Sequence, residues 1–232
     1  MKLVTVGTGT AVADGRCQSC VLIDDRIAVD VGIGSLLRIG KLTNNLSAIL
    51  LTHNHLDHNG DVLAILKSRW LSGIEERPKI IGPAGTINHI ESLFESYPYL
   101  RKKLSFELME VENEKFEVDG FEVEAIATKH SIKSTAYLID SEVLISGDTR
   151  AMKEVVGREC KVLIHEMSLP FGFKAVDHTT PENFKEVLDS CTAEKILLTH
   201  IYPNAMEQID TILEYLDDER IEVARDGDEF VV

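Results

Sequence analysis

The sequence predicts an α/β (α+β) chain in which two packed β-sheets are flanked by helices, a four-layer αββα sandwich spanning residues 1–232 as a single domain. Three observations predict it. Apolar runs of strand length recur along the whole chain, helical stretches fall between them, and the polar residues best suited to chemistry sit just after the apolar runs. Side chains delivered from strand ends are held by rigid elements and can share one rim.

The first runs, Lys2-Leu-Val-Thr-Val6, Cys20-Val-Leu-Ile23 and Ile27-Ala-Val-Asp-Val31, read as a strand meander broken by the charged turn Asp24-Asp-Arg26. Gly7-Thr-Gly9 lacks the third glycine and the following helix of a dinucleotide loop, so a phosphate cradle is not expected there. Asp30 stands at a strand tip, and Ser35 to Ile39 reads as a short helix. The run Leu46 to Leu51 is followed by a helix through Trp70, then a strand at Lys79-Ile-Ile81 and an amphipathic helix from Thr86 to Ser96, with Pro98 helping to stop it. Strands are expected over Leu104 to Val111 and Phe116 to Thr128, and a hairpin over Ser134 to Ile139 and Val143 to Ile145. Lys161-Val-Leu-Ile164 carries His165-Glu166 at its end. Thr180-Pro181 is an N-cap and first-turn pair for a helix through Ser190. Lys195 to Thr199 delivers His200, a helix runs from Ala205 to about Leu216, and strands at Ile221 to Ala224 and Glu229 to Val232 finish the chain.

The chain has 232 residues, 44% of them apolar, enough for one large core. With 24 Lys and Arg against 39 Asp and Glu, the formal charge is -15, which repels polyanions and argues against tight nonspecific binding to nucleic acid. The N-terminus reaches Gly7 too early for a signal peptide and no apolar run approaches spanning length, so a cytoplasmic protein with no membrane segment is expected. Of the four cysteines, Cys17 and Cys20 form a lone Cys-x-x-Cys pair, read as two free thiols.

The stretch His53-Asn-His-Leu-Asp-His58 dominates the rest. Three imidazoles and a carboxylate within six residues are costly to bunch unless a cation neutralises and orders them. His53 and His55 face one way from extended backbone, whereas Asp57 and His58 open a helix and project from another direction, which suits two metals. Further histidines and acids follow apolar strands at His130, Asp148, His165, His178 and His200. His89, in a helical stretch, is read as ordinary surface or core.

The pattern His-x-His-x-Asp-His resembles the signature of the metallo-β-lactamase superfamily. The resemblance implies that His53, His55 and His130 hold one metal, that Asp57, His58 and His200 hold a second, and that Asp148 bridges them. Two divalent ions are implied, zinc by ligand chemistry, with manganese or iron also compatible. Within the superfamily the loops are most similar to ribonuclease Z: Gly7-Thr-Gly-Thr10 with Arg16, Ser146-Gly-Asp-Thr149, His165-Glu-Met-Ser168 and His178-Thr-Thr180, while Ala224-Arg-Asp-Gly-Asp228 resembles the superfamily's closing segment. Carried over, His178 contacts the scissile phosphate and protonates the leaving oxygen, Glu166 orients it, and Asp57 assists as ligand and proton acceptor. The expected function is a metal-dependent phosphodiesterase acting on RNA or a small nucleotide-like ester. A homodimer is expected by analogy only.

One departure stands out. Ribonuclease Z inserts a transfer-RNA-gripping arm between the third histidine and the bridging aspartate, whereas here a short hairpin fills the interval from His130 to Asp148. Two rivals remain: a hydrolase of the same fold acting on a carboxylic ester, thioester or lactam, and a non-catalytic protein that keeps metal as a structural staple.

Overall fold

The apolar runs pair into two seven-stranded sheets in a computed structural model that describes all residues, Met1–Val232. The first contains β1 (Lys2–Gly7), β2 (Cys20–Ile23), β3 (Ile27–Val29), β4 (Ala48–Leu50), β5 (Lys79–Gly82) and β6 (Glu107–Glu110), with β14 (Asp228–Val231) beside β1. The second contains β7 (Lys115–Val118), β8 (Phe121–Ala127), β9 (Thr135–Ile139), β10 (Val143–Ile145), β11 (Val162–Glu166), β12 (Lys195–Thr199) and β13 (Ile221–Val223) in spatial order 7-8-9-10-11-12-13. Each sheet has an antiparallel half and a parallel half: β3 to β6 run parallel, as do β10 to β13. Most of the helices fall in the connections that parallel pairing requires.

Side chains alternate across a strand, and here both faces of the central strands are covered. Val21, Ile23, Val29, Leu50 and Ile81 point inward and meet Val123, Tyr137, Ile139, Ile145, Ile164 and Leu197 of the other sheet. Their neighbours Leu22, Ala28, Ile49 and Ile80 point outward onto α3 (Val62–Leu71) and α4 (Ala84–Ser96) through Ile65, Leu66, Ile90 and Phe94. Across the molecule, Leu144, Leu163, Ile196 and Leu198 pack on α7 (Pro181–Leu188) and α9 (Ile209–Leu216) through Phe184, Leu188, Ile212 and Leu216. Three separate apolar layers between four layers of secondary structure make the αββα sandwich.

The expected strand from Phe116 to Thr128 is two strands joined at Asp119-Gly120, both with positive φ (54° and 83°). Asp-Gly is a strong hairpin signal, and it overrides the β-rich sequence on either side. The strand expected from Leu104 to Val111 is confined to β6, because Leu104 instead closes the helical turn after α5 (Pro98–Arg101). Pro98 thus starts a turn of helix as well as ending α4. The helix expected from Ala205 divides into α8 (Pro203–Met206) and α9 at Gln208, whose φ of -108° and ψ of 9° leave the helical region. Asp57 and His58 lie in their own short helix, α2 (Leu56–Asn59), separate from α3. The helix α6 (Lys153–Val156) has no counterpart in the sequence reading. Thr180 caps α7 as expected, its hydroxyl accepting from Asn183 N while the Asn183 side chain accepts from Thr180 N.

Candidate metal centre and active site

The parallel strands deliver the polar residues to one rim. Asp30 follows β3, Thr52 and His53 follow β4, Gly147 and Asp148 follow β10, Glu166 ends β11 and His200 follows β12. Two contacts tie the rims of the two sheets together: Thr135 N donates to Thr52 O at 2.9 Å, and His53 bridges to Ser134. Gly147 sits at φ 59°, and a Cβ there would lie 2.7 Å from Thr52 Cβ, so the backbone carrying Asp148 approaches the metal loop more closely than a side chain allows.

The structure brings all seven residues of the expected ligand set together. His53, His55, His130 and Asp148 form one group and Asp57, His58 and His200 another, with ligand atoms within 4.8 Å of one another in each. Asp148 faces both: its Oδ2 is 3.8 Å from His53 Nε2 and its Oδ1 is 3.3 Å from His58 Nε2. His130 Nε2 is 3.2 Å from His55 Nδ1, and His200 Nε2 is 3.2 Å from Asp57 Oδ2. Ligand atoms about 2.0–2.2 Å from a tetrahedral cation stand about 3.3–3.6 Å from each other, so this spacing suits a metal.

Four of the five clustered histidines are oriented through Nδ1. His58 Nδ1 donates to Asp30 Oδ2 (2.7 Å), His53 Nδ1 to Thr52 Oγ1 (3.0 Å), His130 Nδ1 to Asp177 O (2.9 Å) and His200 Nδ1 to Ser168 Oγ (3.0 Å). Each anchor turns Nε2 toward the cluster with its lone pair free, the arrangement that metal-binding imidazoles use. Asp30 is itself fixed, accepting from Thr52 N and Thr52 Oγ1, both at 2.8 Å. His53 Nε2, His58 Nε2 and Asp148 Oδ1 are buried with no protein partner. Orphaned buried acceptors facing one another are costly, and a divalent cation removes that cost. The donor set and these orphans fit a metal. Burial lowers the His58 pKa, but Asp148 and Asp30 outweigh it and hold the ring well above the ordinary imidazole value.

Beside the cluster, Glu166 is buried and accepts from three backbone amides: Thr149 N to Oε1 (2.7 Å), and Ser168 N and Thr179 N to Oε2 (both 3.1 Å). His178 Nδ1 donates to Glu166 Oε1 at 2.9 Å, and its ring centre lies 4.9 Å from that of His130. Burial lowers the His178 pKa, but the Glu166 hydrogen bond and charge prevail and raise it to about 9. A proton sits on a half-buried ring whose Nε2 is open. Tyr202 completes this edge, its ring perpendicular to those of His200 and His178.

Sequence reasoning missed several residues of this site. The sequence marks Asp30 only as a strand tip; its further signal is Gly32 two residues later, where a Cβ would lie 2.1 Å from Asp57 O. Ser168, which anchors His200, lies within the noted loop but carried no assignment. Thr8 O accepts from His200 N at 3.0 Å, and Asp226 holds Thr8 through its amide (2.9 Å) and hydroxyl (2.7 Å). Arg16 donates to Thr8 O and Ile201 O on either side of His200. His165 turns away, its ring packed on Phe184, and takes no part in the cluster. His89 is half-buried in α4. Cys17 and Cys20 are buried free thiols.

Comparison with known proteins shows the fold and the family. Ribonuclease Z from Mycobacterium sp. (strain KMS) is 30% identical over 175 residues, covering 64% of this chain and 61% of the relative. The chain thus matches about three-fifths of that relative's length. The metallo-β-lactamase fold protein YhfI from Bacillus subtilis superposes with a TM-score of 0.78 at 18% identity, covering 99% of this chain and 98% of its own. Human tRNase Z, short form, gives 0.77 at 21% identity and covers 100% and 99%. Both likenesses establish the metallo-β-lactamase fold. The family described as "Anti-Pycsar protein Apyc1" matches residues 1–228, nearly the whole chain, and the protein belongs to that family.

Proposed function

We propose that the protein is a metal-dependent phosphodiesterase that hydrolyses small nucleotide-like esters in preference to folded RNA. The observation that carries this reading is the pair His178–Glu166 beside the His/Asp cluster. Hydrolysis of a phosphodiester needs a proton on the departing oxygen, and a protonated imidazole held by a buried carboxylate supplies one. An acyl ester with a stable leaving group needs it less. Relatedness to ribonuclease Z supports phosphodiester chemistry.

The ligands expected to hold two divalent ions are His53, His55 and His130 for one and Asp57, His58 and His200 for the other, with Asp148 between. Bound there, such ions lower the pKa of water and neutralise the charge on a phosphoryl group. The protein's own groups do the rest. Asp57, with Oδ2 near His200 Nε2, accepts the proton lost by the attacking water. As the P–O bond to the leaving group breaks, its oxygen takes the proton from His178 Nε2. Glu166 keeps the opposite nitrogen protonated and prevents the ring from turning.

Small substrates are favoured by shape and charge. The segment from His130 to Asp148 is occupied by β9 and β10 and their turn, leaving no arm to grip transfer RNA. The formal charge of -15 offers no general attraction for a polyanion. The test is a turnover panel on zinc- and manganese-loaded protein, setting precursor transfer RNA beside cyclic mononucleotides and linear aryl phosphodiesters. Hydrolysis of the small esters alone is expected. Cleavage of precursor transfer RNA at comparable kcat/KM overturns the preference, and hydrolysis of carboxylic esters that survives His178→Ala, with no phosphodiester turnover, overturns the reading.

A further inference from the structure

Tyr202 borders the site yet has no part in the chemistry above. Its ring centre is 5.7 Å from that of His200 at an interplanar angle of 85°, and 6.5 Å from that of His178 at 84°. It therefore closes the corner between a proposed metal ligand and the proposed acid. The backbone beneath it is held from both sides. His200 takes a left-handed φ of 51°, the Ile201 carbonyl accepts from Arg16, Tyr202 N donates to Ser168 O at 3.3 Å, and Pro203 starts α8 directly after it. Backbone held this way fixes where the ring emerges beside the cluster.

Its hydroxyl is the unusual part. The buried Tyr137 donates to Leu51 O at 2.9 Å, as buried phenols ordinarily do. The half-buried Tyr202 hydroxyl meets no protein partner, although the carboxylates of Asp148, Asp57 and Glu166 all lie close enough for their charge to act on it. A phenol is a neutral donor. The groups that surround it are the ones proposed to seat, attack and release the ester.

We propose that Tyr202 contacts the substrate, its hydroxyl donating a hydrogen bond to a non-bridging phosphoryl oxygen of an ester lying between the His/Asp cluster and His178. This rests on the phosphodiesterase reading. It assigns the phosphoryl oxygen to Tyr202 and the departing oxygen to His178, so each donor serves a different atom. If the ring merely shields His200, phenylalanine serves as well.

The experiment compares the parent with Tyr202→Phe, both loaded with zinc, by three readouts: bound metal by elemental analysis, inorganic phosphate affinity by calorimetry, and kcat and KM on an aryl phosphodiester. The expected result is unchanged metal content with phosphate affinity and kcat/KM each lowered about tenfold, the effect of one hydrogen bond to a charged acceptor. Phosphate affinity within twofold of the parent overturns the proposal. Loss of metal from the variant also overturns it, because the hydroxyl then serves the centre and not the ligand. A parent that binds phosphate in a Tyr202-dependent way but turns over no phosphodiester leaves the contact standing and removes the phosphodiesterase reading. A parent that neither binds phosphate nor turns over the ester removes both.

Discussion

Asp30–His58 and Glu166–His178 are built alike and placed differently. In each, a carboxylate at the end of a strand accepts from a histidine Nδ1, at 2.7 Å and 2.9 Å, and also takes backbone amides. The His58 side chain is 2% exposed with Nε2 directed at Asp148, whereas the His178 side chain is 18% exposed with Nε2 open. One ring can only hold what lies between it and Asp148. The other can exchange a proton with whatever enters. The same pair thus becomes a ligand support or a proton donor according to what its free nitrogen faces, and pairing alone does not assign the role.

The largest effect expected from this contrast is on His178→Ala. The kcat on a phosphodiester with a poor leaving group falls about 10²–10⁴-fold. Bound metal, measured by elemental analysis, stays at the parental ratio. A variant that also loses metal merges the two pairs into one function and breaks the comparison.

Asp30→Ala addresses the other pair. Freed from its acceptor, His58 holds a cation less tightly, and metal affinity falls about 10–100-fold. Excess metal restores turnover in this variant. A deficit that persists at saturating metal would mean that Asp30 acts in the chemical step, as Glu166 is proposed to do through His178.

The smallest effect is on the pH dependence of the metal-free protein. The folded-state pKa of His178 is raised to about 9, above the ordinary imidazole value of about 6.5. The stability contributed by the Glu166 pairing is therefore complete below about pH 6.5 and is lost as pH rises through about 9. Thermal melts of the parent against His178→Ala read this as a difference that narrows on the alkaline side. A difference that instead grows with pH reverses the assignment.

Much of this site is legible in the chain because the proposed ligands come as a dense local motif or follow strands. His53 to His58 announce themselves, Asp148 and His200 follow short apolar runs that are almost wholly buried, and His130 follows the longer, alternating strand β8. The supporting residues are silent for the opposite reason. Asp30 is a single acid near a turn, Ser168 a single hydroxyl, and their partners lie 28 and 32 residues away, so only the folded chain pairs them. The errors of fold are local in kind. The Asp119-Gly120 hairpin carries a clear turn signal, but the β-rich runs on either side read as one continuous strand, while the break at Gln208 has no glycine or proline to mark it. Along β8, Val123 and Ala125 enter the inter-sheet layer while Ile126 faces outward beside Glu122 and Glu124, so its alternation of apolar and polar residues is incomplete.

The link from Asp226 through Thr8 to the His200 amide has a consequence for truncation. Strand β14 also pairs with β1. A chain without residues 225–232 keeps all seven proposed ligands but loses the brace that sets the His200 backbone. Removing residues 225–232 should leave the imidazoles of the central motif intact while metal leaks from the side that His200 guards.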